Sequence, residues 1–215
     1  GEWISATSSS SDVSYVMCWC DARRPGQACS DAEEFVLQNA FLTVQGPKSD
    51  QEAWTWRGQP LSVTELTGIG FETNDRLVVV ADRSCATVTT ENSGFFEPES
   101  ESAISNPSSN GLDYSWGVNT TYVKGMVGRY KLCWCRPTSS ENCTSVVNDE
   151  ANVEFHGFRA SAGELLVNGP APGQNFICTK GLPCTIEITG VNLEGEDRIM
   201  ALANCGEGTV TDGPI

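Results

Sequence analysis

The sequence predicts an all-β protein of tandem sandwich-type domains, and three observations carry that prediction. Strand-like stretches alternate with period two, and no convincing helical stripe interrupts them. Ten cysteines in 215 residues recur at matching spacings, which reads as a disulfide framework of an oxidising, extracellular compartment. The chain also repeats itself with a period of about 120 residues, the size of one domain.

The repeat is visible motif by motif. Tyr15–Cys20 (YVMCWC) matches Tyr130–Cys135 (YKLCWC), and a further cysteine follows each, Cys29 and Cys143. The one stretch with helical character, Asp31–Asn39, reads either as a single helical turn or as part of an edge strand. An apolar strand then closes on Gly-Pro at Phe41–Pro47 (FLTVQGP), as another does at Glu164–Pro170 (ELLVNGP). Leu61–Leu66 and Arg76–Ala81 are rich in β-branched residues and read as strands, as do Val153–Phe158 and Thr185–Ile188. Leu66–Leu77 (LTGIGFETNDRL) aligns without a gap to Ile188–Ile199 (ITGVNLEGEDRI), and each copy runs on to a cysteine, Cys85 or Cys205. Turn-forming clusters separate the strands, and the Ser- and Glu-rich stretch Phe96–Gly111 reads as a surface excursion.

The order "apolar strand, Gly-Pro, loop, ITGxNL, acidic turn, DRI, strand, Cys" resembles the first half of an immunoglobulin-like domain of the IPT/TIG (E-set) type. RYKLCWC at Arg129–Cys135 is similar to strand F and the tyrosine-corner region of such domains. By strict alternation Tyr130, Leu132 and Trp134 share one face, taken as the core. Cys133 and Cys135 then cross-link outside it, unless a bulge resets the phase. In this frame Phe41–Val44 is strand A, Leu61–Phe71 B, Arg76–Ala81 C, Gly128–Cys135 F and Val153–Arg159 G. Residues 39–160 form one complete domain. Residues 1–38 supply only strands E, F and G, and residues 161–215 only A, B and C.

A half-sandwich leaves an apolar face and strand edges open to water. Three resolutions follow. The N-terminal part of one unit completes the C-terminal part of the next, a heterologous contact that repeats into a ring or filament. Alternatively, the chain is one repeat of a longer polypeptide and the join is covalent; the lack of an initiator Met and of a signal-like leader fits a processed or excised segment. In the third, the two ends pair with each other. The residues expected at the junction are Trp3, Tyr15, Met17 and Trp19 from one side and Ile186, Ile188, Ile199 and Leu202 from the other. Copying the cysteine pattern between units implies Cys135–Cys143 and Cys20–Cys29, and the neighbouring C and F strands of the resemblance imply Cys85–Cys133. Cys178 and Cys184 flank a tight turn and pair locally. Cys18 and Cys205 remain, at the positions of Cys133 and Cys85, so they are expected to bond across the junction.

Catalytic constellations are absent from the sequence: no GxSxG, no P-loop, no dinucleotide fingerprint, and a lone histidine, His156, within a strand. No catalytic, cofactor or metal-ligating residue is assigned. The duplicated acidic turns Glu72–Asp75 and Glu194–Asp197 have the oxygen ligands calcium takes, but without EF-hand spacing they read as turn-formers leading into strand C. A net charge of −15 argues against nucleic acid and anionic membranes, and no apolar run is long enough to span a bilayer. Asn119 and Asn142 begin N-glycosylation triplets, and Thr7–Ser11 and Pro137–Ser140 suit O-glycans. Trp54, Trp56 and Trp116 read as core packing or as exposed platforms for sugar. The expected function is therefore a structural, non-enzymatic extracellular protein whose partners are copies of itself, head to tail. The alternative is an adhesion or carbohydrate-binding module.

Overall fold

The structure is a computed structural model that describes residues 14–23, 28–81, 84–85, 89–90, 95–97, 103–117, 121–139, 141–149 and 152–201. Among them there is no α-helix, only a 3-10 turn at Ala32–Glu34, and the protein is all-β. Strands β1 (Ser14–Trp19) and β2 (Leu37–Thr43) form a hairpin, followed by β3 (Gly46–Pro47), β4 (Glu52–Trp56), β5 (Ser62–Val63), β6 (Gly68–Ile69) and β7 (Arg76–Val80). Short strands β8 (Thr89–Thr90), β9 (Phe96–Glu97), β10 (Tyr114–Ser115) and β11 (Tyr122–Val123) come next. They lead to β12 (Gly128–Cys135), β13 (Thr144–Asp149), β14 (Asn152–His156), β15 (Ala160–Pro170) and β16 (Gly190–Val191).

The principal sheet has the order β16-β15-β12-β7, with β4 added parallel to β15 and all other pairings antiparallel. Its inner face packs on the short ladders β5–β10 and β9–β11. Leu77 and Val79 of β7, Leu132 and Trp134 of β12, and Leu165 and Val167 of β15 meet Leu61, Val63, Phe96, Tyr114, Trp116 and Val123 there. These residues form a strand-on-strand core because their apolar side chains alternate at period two. Strand β7 reads as continuous Val because its other face is buried as well. On that side Val78, Val80, Cys85, Cys133, Cys135 and Cys143 form a second cluster with Ala103, Ile104, Phe155 and Phe158.

This architecture corrects several expectations. The partner of β12 is β15, not Val153–Arg159, whose residues Val153–His156 lie in the separate ladder β13-β14-β8. The boundary at 160/161 therefore falls at the start of a strand whose Leu165 and Val167 belong to the middle unit's core. The boundary at 39 likewise falls inside β2, and Phe41–Thr43 pairs with β1 rather than opening the middle unit. The physical reason is the same at both places. A strand paired along its length is followed by a Gly-Pro that pairs onward, as separate strand β3 (Gly46–Pro47 with Gly68–Ile69) after β2 and as the end of β15 itself (Gly169–Pro170 with Gly190–Val191).

Leu61–Phe71 is not one strand either. Glu65 takes a left-handed conformation (φ 58°), its amide donating to Asp113 Oδ1 (3.0 Å), and this separates β5 from β6. Thr185–Ile188, expected as a strand, has no ladder; in the first copy the corresponding region pairs with β10, an element that the second half-unit lacks among the described residues. The Phe96–Gly111 excursion turns back into the fold. Phe96, Ala103, Ile104, Ser105 and Ser108 are buried, and Ser105 exchanges bonds with Leu77 (N to Leu77 O 2.7 Å; Leu77 N to Oγ 2.9 Å), covering the edge of β7. Cys133 and Cys135 do point away from the aromatic face, but into the second cluster rather than to the surface. Asp31–Asn39 resolves into the 3-10 turn running into β2.

Candidate assembly interface

The middle unit supplies the pattern against which the chain's two ends are measured. There β12 lies between β7 and β15, with Trp134 opposite Leu77 and Cys133 opposite Val78. Its pairing with β15 shifts register between Leu132 and Cys133, a bulge that sets Cys133 opposite Ser161 and Trp134 opposite Ala160. Tyr130 Oη donates to the Met126 carbonyl (2.8 Å), and burial raises the phenol's pKa while that bond pulls it down.

The N-terminal hairpin repeats this arrangement. Tyr15 faces Leu42 as Tyr130 faces Leu165, the bulge recurs between Met17 and Cys18, and Cys18 and Trp19 then face Gln38 and Leu37. What the hairpin lacks among the described residues is a counterpart of β7 on the free side of β1.

The C-terminal part repeats the other half. In the first copy Gln51 ties the Gly-Pro segment to the strand after it. Its Nε2 donates to Lys48 O (2.8 Å) and Thr67 O (3.0 Å), while its Oε1 accepts from Thr67 N (2.6 Å) and Oγ1 (2.9 Å). Gln174 makes the same four bonds, to Ala171 O (2.7 Å) and Thr189 O (3.0 Å) and from Thr189 N (2.8 Å) and Oγ1 (3.0 Å). The acidic turns also match: Glu72 N donates to Asp75 Oδ2 and Glu194 N to Asp197 Oδ2, each at 2.9 Å. Sequence reasoning missed the two glutamines, although GPKSDQ and GPAPGQ carry them at the same offset.

The two ends differ from the middle unit in burial. Leu77 is 0% exposed and Trp134 8%, whereas their counterparts Ile199 and Trp19 are 71% and 46% exposed. Tyr15, Met17 and Ile186 are exposed too, and Ile188 is half-buried. Glu187 does not share the left-handed conformation of Glu65, so Ile186 and Ile188 are not separated by that break. Of the expected junction residues, Tyr15, Met17, Trp19, Ile186 and Ile199 are therefore exposed. Trp3 and Leu202 lie outside the described residues.

Four cysteine pairs stand at disulfide geometry: Cys20–Cys29, Cys85–Cys133, Cys135–Cys143 and Cys178–Cys184, with Cα–Cα distances of 5.9, 5.6, 5.8 and 5.6 Å. Cys18 is exposed and free among the described residues, and Cys205 lies outside them.

The acidic turn of the middle unit already holds a cation. Asp75 is fully buried, and Arg136 donates to it from Nε to Oδ1 and from Nη2 to Oδ2, both at 3.0 Å. The same guanidinium reaches Gln45 Oε1 (2.7 Å) and the Gly70 carbonyl, and lies 5.2 Å from the Trp134 ring centroid. Its bonds to Asp75 raise the Arg136 pKa above its ordinary value. The sequence pointed to Asp75–Arg76; nothing in it marked Arg136, which is 61 positions away. No group of three or more metal-capable side chains occurs among the described residues.

The remaining candidates fall as follows. Asn142 is exposed, just before disulfide-bonded Cys143, whereas Asn119 lies outside the described residues. His156 is exposed at the end of β14. Trp116 is no platform: it is buried, its Nε1 donates to Ala103 O (2.8 Å), and its ring stacks on Phe96. Trp54 is exposed and Trp56 half-buried. No helix among the described residues is long and apolar enough to cross a membrane. Comparisons with protein-family models, with curated proteins and with solved structures found no match.

Proposed function

We propose that this chain is a structural, non-enzymatic extracellular protein whose immunoglobulin-like units join head to tail into a glycosylated fibre or filament. The observation that carries the reading is the contrast in burial between equivalent residues. Leu77 and Trp134, sealed in the middle unit, have counterparts Ile199 and Trp19 that are uncovered at the two ends. Such a face costs about 25 cal/mol for each Å² of apolar surface left in water, so covering it drives association. Each end holds the half that the other lacks. The occupant of each is therefore the complementary half of another unit.

Copying the β12–β7 register onto the junction sets Trp19 opposite Ile199 of the neighbouring unit and Cys18 opposite Met200. Cys18 then takes the place of Cys133, and Cys205 that of Cys85, as an inter-unit disulfide. The immunoglobulin-like reading is supported by the neighbours of β12, by β4 running parallel to β15, and by the Tyr130–Met126 bond of a tyrosine corner. The oxidising compartment is supported by the four cysteine pairs. N-glycans on Asn119 and Asn142 would coat the outside.

Native material run on a denaturing gel with and without reductant tests the reading. A ladder that collapses on reduction to one polypeptide near 23.1 kDa plus glycans supports separate chains linked through Cys18 and Cys205. Very large species that survive reduction place the join within a longer polypeptide. Monomers under both conditions, with no assemblies before denaturation, would sink the proposal.

A further inference from the structure

The outer face of the principal sheet carries a groove centred on β4, a strand that the assembly reading does not use. A cavity of about 540 Å³ opens over β4 and β15, within the about 300–1,000 Å³ range of small-molecule clefts. Arg129, Leu166 and Trp54 stand in one row across three strands, since Arg129 pairs with Leu166 and Leu166 with Trp54. Trp56 and Leu193 extend the apolar floor. Trp54 remains 66% exposed.

The second copy does not repeat these tryptophans. The second copy preserves Gln174, the Gly-Pro end and the acidic turn, yet it has Ile177 and Thr179 where the first has Trp54 and Trp56. Trp54, Trp56, Leu166 and Leu193 together form an apolar patch rimmed by polar side chains, the kind of surface that marks a ligand-binding groove.

We propose that this groove binds a neutral saccharide, with Trp54 as the platform for the C–H face of a sugar ring. The polar groups stand where ring hydroxyls would project. On one side are the carboxylates of Glu52 and Glu164, bridged by Arg129 Nη1 at 3.0 and 2.9 Å. On the other is an amide pair, Asn192 Nδ2 donating to Asn168 Oδ1 (2.8 Å), with Glu194 beyond. Apolar floor and hydrogen-bonding walls together suit a ligand with one greasy face and a polar rim. Three lining carboxylates against one guanidinium, itself held between two of them, disfavour an anionic ligand. The groove is built within one chain, and of its apolar floor only Leu193, at the position of Phe71, also borders the proposed junction.

Titration of the intact chain with a β-1,4-linked glucose hexasaccharide and an N-acetylglucosamine hexasaccharide, followed by indole fluorescence and calorimetry, tests the site. Saturable binding to at least one is expected, changing less than about twofold between 0.05 and 0.5 M NaCl because no ion pair forms. Trp54→Ile, which installs the residue of the second copy, is expected to retain the fold by circular dichroism and weaken binding at least about tenfold. Trp56→Thr should weaken it less. No saturation by either sugar, undiminished binding in Trp54→Ile, or binding only of a tetramethylammonium or sulfated probe that fades with salt would each overturn the assignment.

Discussion

Arg136 shows how much of this fold rests on one side chain. Asp75 is buried without exposure, and its carboxylate takes two bonds from the guanidinium and one from the Glu72 amide. Removing one partner of such a pair leaves an uncompensated buried charge, typically costing about 3–5 kcal/mol. Arg136→Met is therefore expected to lower the unfolding free energy read from urea denaturation by about that amount. Arg136→Lys should recover little, because an ammonium cannot reproduce the bidentate fork. A milder effect belongs to Asp113, whose pKa is held below the usual aspartate range by the Glu65 amide first and the Asn110 amide second. A depressed folded pKa contributes stability above the unfolded-state aspartate pKa and loses it as pH falls through the folded value. Midpoints of wild type and Asp113→Asn should accordingly differ at neutral pH and converge in acid, below the folded pKa. A constant difference across that window would exclude the titration.

Gly68 and Gly190 sit where adjoining elements meet closely. A Cβ on Gly68 would strike the Gly46 carbonyl and the Pro47 Cα, and one on Gly190 would strike the Gly169 carbonyl and the Pro170 Cα. Gly190→Ala should therefore separate β16 from β15 and speed hydrogen exchange of the Ala171 amide, now bonded to Thr189 O (2.9 Å). Exchange at Lys48, its counterpart in the first copy, should stay unchanged. These glycines were legible in the sequence as part of a gapless match, as was β12, whose bounds agree with the expected strand F. The identity of its partner was not. Val153–Phe158 and Glu164–Pro170 both read as strands, and a period-two pattern says which faces are apolar but not which strand pairs with which. The second buried cluster was hidden for a related reason. Ala103 and Ile104 sit among serines, and burial there comes from covering the edge of β7, not from any periodicity of their own. The Trp54 groove was legible only as an open choice between packing and platform, because a tryptophan in a strand reads alike on either face.

In the proposed head-to-tail scheme the molecule presents two unlike faces, which would make association directional. A chain carrying Met17→Asp would spoil its N-terminal face while keeping its C-terminal half intact. Mixed at substoichiometric levels with wild type under reducing conditions, it should add once and block further growth, shortening assemblies by electron microscopy in proportion to its fraction. Ile199→Asp should do the same from the opposite end. Deleting residues 1–25 should abolish assembly and promote aggregation; fibres of ordinary length from that truncation would contradict the scheme. One further consequence lies in β15, which is bonded along its length to β12 and β4 before its last residues pair with β16. In the proposed array adjacent units would thus share a strand, with no slack tether between them. Tension applied along the chain would enter each unit parallel to its longest ladder and load those hydrogen bonds side by side, in shear. An array so built would extend little under load until a whole ladder gave way at once, and its resistance would be set by the rate of that rupture.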